Sequence, residues 1–257
     1  ISIDIPSGVE ADTGQLGETA VNAVCTVALG LPKIGHYLCP GAAHVGELII
    51  DDIGLPAQLL NDDIHQTLVD DELAITLLPE RPPDVHKGNC GKLLVVAGSK
   101  GMTGAASLAS MAALKSGAGL VTLAAAESLN SIFEVKLTEV MTIPIQETKI
   151  GMLGGDNATN QILTLADNFD VLLLGPGLGR EKETCALVKK IVTSVDKPLV
   201  LDADAIFAFN GQIEELKKCK QIPILTPHLG ELAALLNLSI DEIRKDLVTI
   251  VRMAAQD

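Results

Sequence analysis

Tryptophan is absent from this 257-residue chain, tyrosine occurs once and phenylalanine four times, so aromatics make up only 2% of it. A core without large rings has to be built from Ala, Leu, Val and Ile, the composition of sheets covered by helices. The five cysteines (Cys25, Cys39, Cys90, Cys185 and Cys219) are odd in number, scattered, and contain no C-x-x-C pair. That argues against a disulfide framework or a zinc site and reads as reduced thiols. No cluster of Lys or Arg interrupts a net charge of −14. Nucleic acid and anionic membrane both reward basic patches, so neither is an expected partner. No apolar run approaches the ~20 residues of a membrane span. What remains, 47% apolar and 20% charged, is ordinary for a well-cored globular protein, and a cytoplasmic location is the expectation.

Residues 1 to about 60 carry short strand-like runs, "SIDI", "AVCTVALG" and "ELIIDDIG", between glycine and proline turns, like the tail of a domain. From 61 to 80 the chain is polar, and prolines follow in "LPERPPDVHKGN", so this stretch reads as a linker with the boundary near residue 70. Residues 81–257 then alternate: strand "KLLVVAG", a helix over 103–116, strand "GLVTLAAA", a less regular stretch to about Leu153, and a helix near 158–166. After these come strand "DVLLLGP", helix "KETCALVKKIVTSV", strand "PLVLDADA", a short helix, strand "IPILTP" and helix "GELAALLN". Fully apolar strands between amphipathic helices predict an α/β fold, a parallel, doubly wound sheet in three layers. The chain opens mid-strand and stops inside a helix pattern, so both ends are expected to be cut.

In such sheets ligands bind beyond the carboxyl ends of the strands. The first end is "VVAGSKGMTGAAS", whose glycines at 98, 101 and 104 match neither G-x-G-x-x-G nor the G-K-[ST] ending of a P-loop. Its helix is expected to turn Ala105, Leu108, Ala109 and Ala112 to the sheet, leaving backbone N–H groups near Gly101 and Gly104 for an anion or polar edge; a tight turn without a ligand is the alternative. The second end, "LLLGPGLGR", spends Gly175, Gly177 and Gly179 where packing alone gives little reason for them. In the third, "LVLDADA", strand alternation would put Asp202 and Asp204 on one face, for magnesium–phosphate contact or for helix capping. The fourth, "ILTPHLGE", places His228 at a turn into a helix, as a ligand contact or a bystander. Near the start, "DIPSGVEADTG" sets Asp4 and Ser7 three residues apart at a turn, to serve a hard cation or ligand hydroxyl through oxygen, or merely to cap the turn.

Together, and in this order, these motifs resemble the bifunctional NAD(P)H-hydrate repair enzymes. "DIPSGVEADTG" and "GELIIDDIGLP" are similar to the closing part of their Rossmann-like epimerase domain. "HKGNCGKLLVVAGSKGMTGAA", "ALKSGAGLVTLA", "LLLGPGLG", "LVLDADA" and "TPHLGE" are similar to their ribokinase-like dehydratase domain.

The resemblance implies that Asp4 contacts the hydrated nicotinamide and that Ser7 helps hold a potassium ion. It implies that Gly104, Ala105, Ala106, Gly177, Gly179 and His228 line the hydrate pocket, with Asp202 and Asp204 on the cofactor side. It further implies NADHX and NADPHX as substrates, ADP or ATP with magnesium as the phosphoryl source, and a homo-oligomer. The family's G-x-G-D aspartate falls outside these residues, as does its glycine- and asparagine-rich epimerase motif, so little activity is expected of this chain alone. A ribokinase-like kinase acting on a vitamin precursor, or a binding module without chemistry, are the competing readings.

Overall fold

Apolar runs bounded by glycine become parallel strands in the computed structural model, which describes residues 1–56, 58, 66–80, 84 and 86–256. The chain divides into two units, Ile1–Glu80 with Asp241–Asp257, and Arg81–Ile240.

In the first unit β1 (Ser2–Ile3), β2 (Cys25–Leu29) and β3 (Glu47–Asp51) form a parallel sheet in that order, with Ile3 opposite Val27 and Val27 opposite Ile49. Buried Thr26 is satisfied by donating to the Val45 carbonyl at 2.6 Å. A four-residue helix α1 (Ile34–Tyr37) follows β2. Helix α2 (Asp71–Leu77) forms within the stretch read as a linker, because Asp70 caps it by accepting from Leu73 N–H at 2.9 Å. Residues 61–65 of that stretch lie outside the described residues.

The second unit contains β4 (Lys92–Val96), α3 (Thr103–Lys115), β5 (Leu120–Ala126), α4 (Asn130–Lys136), β6 (Met141–Ile145) and α5 (Gly155–Ala166). It continues with β7 (Val171–Leu174), α6 (Lys182–Ser194), β8 (Leu199–Leu201), α7 (Asp204–Phe207), β9 (Ile224–Leu225) and α8 (Leu229–Leu236). Helices α9 (Ile240–Lys245) and α10 (Leu247–Gln256) complete the chain. The six strands are all parallel, in the order β6-β5-β4-β7-β8-β9. The chain leaves β4 through α3 in one direction and returns from β6 to β7 through α5 in the other. With right-handed crossovers this puts α3 and α4 on one face and α5 and α6 on the other, three layers in all. Leu94, Val96, Leu123, Leu172, Leu174 and Leu201 are fully buried between them, each contributing roughly 1.5–3 kcal/mol. Phe133 and Phe209 are also fully buried, whereas Tyr37 is exposed. No helix among the described residues is long and apolar enough to cross a membrane.

Two expectations need correction. Helix α3 does not turn Leu108 and Ala112 to the sheet: Leu108 is 74% exposed, and Ala106 and Ser110 are buried instead. Small or apolar residues surround this helix, so periodicity had no face to select. The stretch called less regular holds both α4 and β6. Pro144 masks β6, but it sits on the edge strand, where a missing N–H is tolerated.

Candidate functional site

The strand order reverses between β4 and β7, and their carboxyl-end loops meet there. Gly98 N–H donates to the Pro176 carbonyl at 2.9 Å, Gly175 N–H to that of Val96 at 3.1 Å, and the buried Ser99 hydroxyl to that of Gly177 at 2.8 Å. Gly177 has φ +66°, and a Cβ there would stand 2.9 Å from Met102 Cβ. The glycine lets the "GPGLG" loop close onto the start of α3. Both Gly177 and Gly179 are buried.

The first turn of α3 is the open part of this crevice. Met102 at its N-cap offers no side-chain cap to the leading N–H groups. Gly104, in the helix itself, is exposed, and a Cβ there would meet nothing within 4 Å. Neither backbone conformation nor packing calls for glycine here, although it costs a helix roughly 0.5–1 kcal/mol relative to alanine. A side chain at this position would stand in open space. Ala105 is half-buried and Ala106 fully buried, so of the three only Gly104 faces outward. Lys136, the last residue of α4, reaches this turn and donates to Thr103 Oγ1 at 2.8 Å.

The strand expected to carry both aspartates stops at Leu201, and Ala203 follows with φ +49°, so alternation does not reach Asp204. Asp204 is 7% exposed and both its oxygens are engaged: Oδ2 accepts from Gly179 N–H at 2.9 Å and Oδ1 from Arg180 Nε at 2.8 Å. The Arg180 guanidinium lies 4.5 Å over the Phe207 ring. Asp202 uses Oδ1 to accept from the Thr226 hydroxyl at 2.8 Å. His228 is the N-cap of α8. Its Nδ1 accepts from Gly230 and Glu231 N–H at 3.0 and 3.2 Å, while the His228 backbone N–H donates to Glu231 Oε2 at 3.0 Å. The ring is otherwise 72% exposed, with Nε2 3.3 Å from Glu231 Oε1. Burial pushes the thiols of Cys185 and Cys219 up, away from thiolate chemistry.

In the first unit Asp4 follows β1 with φ +67°, a conformation non-glycine residues adopt at a cost of about 1–3 kcal/mol. Its Oδ1 accepts from Leu29 N–H at 3.1 Å and pairs with the Lys33 ammonium, which also donates to the Leu29 and Leu31 carbonyls, both at 3.2 Å. This pairing holds the Asp4 carboxyl below its usual range, against some opposition from partial burial and with help from Leu29 N–H. His36, 4% exposed, contacts the backbones of both residues. Ser7 is exposed, and its carbonyl accepts from Val21 N–H at 2.9 Å. Among the described residues no group of three or more His, Cys, Asp or Glu side chains is placed to hold a metal ion.

Sequence reasoning gave no role to Lys33, His36, Lys136 or Arg180. The signal for two of them was present, since Lys33 and Arg180 each follow directly on a glycine-bearing turn at a strand end.

A family model described as NAD(P)H-hydrate dehydratase matches residues 93–257, and one described as YjeF-related protein N-terminus matches residues 1–35. The chain is 40% identical over 258 residues to the bifunctional NAD(P)H-hydrate repair enzyme Nnr of Moorella thermoacetica, covering 100% of this chain and 48% of that protein. It is 41% identical over 248 residues to the enzyme of the same name from Thermofilum pendens, covering 96% and 47%. The chain thus spans about half the length of the curated relatives it matches. Among solved structures, the ADP/ATP-dependent NAD(P)H-hydrate dehydratase from Bacillus subtilis, co-crystallized with ATP/Mg2+, superposes with a TM-score of 0.55 at 26% identity, over 72% of this chain and 61% of that one. Protein SMU.573 from Streptococcus mutans gives 0.57 at 27%, over 73% and 63%.

Proposed function

The chain belongs to the NAD(P)H-hydrate dehydratase family, and on that premise we propose that the protein carrying it repairs hydrated NADH and NADPH. One activity interconverts R- and S-NAD(P)HX; the other dehydrates S-NAD(P)HX to NAD(P)H at the expense of ADP or ATP. Residues 1–60 are the closing part of the epimerase domain, 61–80 the linker and 81–257 dehydratase. The family matches at 1–35 and 93–257 support this division.

The observation that carries the dehydratase reading is the opening at Gly104. It lies at the strand-order reversal, where open parallel sheets take their ligands, beside an uncapped helix start suited to an anionic or polar edge. The hydrate sits over Gly104 and Ala105, with the buried Ala106 and the loop through Gly177 and Gly179 backing that surface and His228 as a further contact. A nucleotide bound with magnesium supplies the phosphoryl group that turns the hydrate's hydroxyl into a phosphate leaving group. Asp202, whose described hydrogen bonds use only Oδ1, suits the nucleotide side. Asp204, 7% exposed, also accepts from Gly179 and Arg180 and so braces the loop beside the nucleotide side.

In the epimerase part Asp4 contacts the hydrated ring. Ser7 offers one of the several oxygens that a hard cation such as potassium takes. A homo-oligomer in the cytoplasm completes the proposal.

The test is to incubate the whole protein with NADHX and ADP or ATP and follow the return of NADH absorbance. Recovery supports the reading. No recovery with either nucleotide, together with phosphorylation of a sugar or vitamin alcohol, sinks it in favour of a small-molecule kinase.

A further inference from the structure

His36 is a buried imidazole to which the proposed reactions assign no task. Its two nitrogens go to two particular places. Nδ1 accepts from the Lys33 N–H at 3.0 Å, and Nε2 lies 2.8 Å from the Asp4 carbonyl oxygen. A carbonyl only accepts and an N–H only donates, so the proton sits on Nε2. The ring therefore ties together the backbones of the same two residues whose side chains form the Asp4–Lys33 ion pair. Leu29 N–H completes the circuit by donating to Asp4 Oδ1. The circuit leaves Oδ2 of Asp4 without a bond among those described, and it holds Asp4 at φ +67°, a conformation that persists only when its surroundings enforce it. Helix α1 is a single turn, and His36 at its third position closes a capping box through Nδ1, so the bond from Nε2 to Asp4 is the one that helix capping does not account for.

We propose that His36 is a positioning residue of the epimerase site, holding the Asp4 carboxylate and the Lys33 ammonium in the arrangement in which Asp4 Oδ2 meets a donor group of the hydrated nicotinamide. This rests on the reading of Asp4 as a substrate contact. The bond from Nε2 holds the Asp4 carbonyl, while the Asp4 N–H is held by the Val27 carbonyl at 2.7 Å, so His36 supplies the carbonyl-side restraint on the strained residue.

The experiment uses the whole protein and two partial mimics of the ring. In His36→Gln the side-chain amide N–H takes the place of Nε2 and keeps the link to Asp4. In His36→Asn the amide oxygen takes the place of Nδ1 and keeps only the link to Lys33. Epimerisation of R-NADHX is measured as kcat and KM, with dehydration of S-NADHX by the same protein as an internal check on folding. His36→Asn is expected to lose about tenfold or more in kcat/KM for epimerisation, as misplaced reacting groups do, and His36→Gln less than about threefold. Dehydration is unchanged in both. Equal losses in the two variants, or wild-type epimerisation by His36→Asn, overturn the proposal.

A second measurement needs no variant. In the wild-type protein the 15N resonances of His36 report a protonated Nε2, and they shift together with the Asp4 carboxyl signal when R-NADHX binds. A His36 signal that stays put while Asp4 moves also overturns it. A wild-type protein that dehydrates S-NADHX but never epimerises R-NADHX removes the epimerase reading itself, before any variant is made.

Discussion

The backbone N–H of Gly179 donates to Asp204 Oδ2 at 2.9 Å, joining the loop after β7 to the first residue of α7 across a buried carboxylate. In Asp204→Ala the Gly179 N–H is left buried without an acceptor, and the expected loss of stability is about 1–3 kcal/mol by urea unfolding. Asp204→Asn keeps an oxygen for Gly179 and turns its NH2 toward Arg180, whose 57% exposed side chain is able to swing away into solvent. Its loss should be clearly smaller. Equal losses would show that the carboxylate's charge, rather than its acceptor, holds the loop.

Gly104→Ala should raise stability by roughly 0.5–1 kcal/mol, because the backbone is helical and a methyl group meets nothing within 4 Å. Thermal unfolding checks it. A lower melting temperature would mean that the helix start is under a constraint the geometry does not contain.

Gly177→Ala should behave in the opposite way. Its φ of +66° costs a residue with a Cβ about 1–2 kcal/mol, and contact with Met102 Cβ at 2.9 Å adds overpacking. The same thermal measurement should show a clear fall, and unchanged melting would contradict the close approach of loop and helix.

Asp4 predicts a pH effect with a definite sign. Its folded pKa lies below the ordinary 3.8, chiefly through the Lys33 hydrogen bond. The stabilisation is therefore complete above 3.8 and is lost as the pH falls through the lower folded value. Lys33→Met should bring the Asp4 carboxyl titration, followed by NMR, back up toward 3.8 and flatten this acid dependence. An unmoved titration would assign the low value to the Leu29 N–H instead.

The parallel sheet was legible because runs such as "LLVV" and "VLLL" are apolar throughout and end in glycine, a pattern that only strands buried on both faces require. The face of α3 was not, because Leu108 and Ala106 look alike to periodicity, and only the packing of Ala106 beside Gly98 distinguishes them. Strand β6 was hidden by Pro144, whose tolerance depends on being at the sheet's edge, a fact of topology. At the candidate site the strand-end loops were readable from composition, but the partners were not. That Asp204 serves Gly179 and Arg180, or that His36 reaches Asp4, depends on contacts over 24 to 32 residues of sequence.

The central claim is that the space kept open at Gly104 belongs to the hydrated dinucleotide. The most direct measurement is the KM for S-NADHX and for ADP in the whole protein, wild type against Gly104→Val, whose side chain fills that space. The account predicts a rise of about tenfold or more in the KM for S-NADHX, equivalent to ~1.4 kcal/mol of binding, with the KM for ADP and the melting temperature little changed. An unchanged KM for S-NADHX in a folded Gly104→Val protein would contradict it.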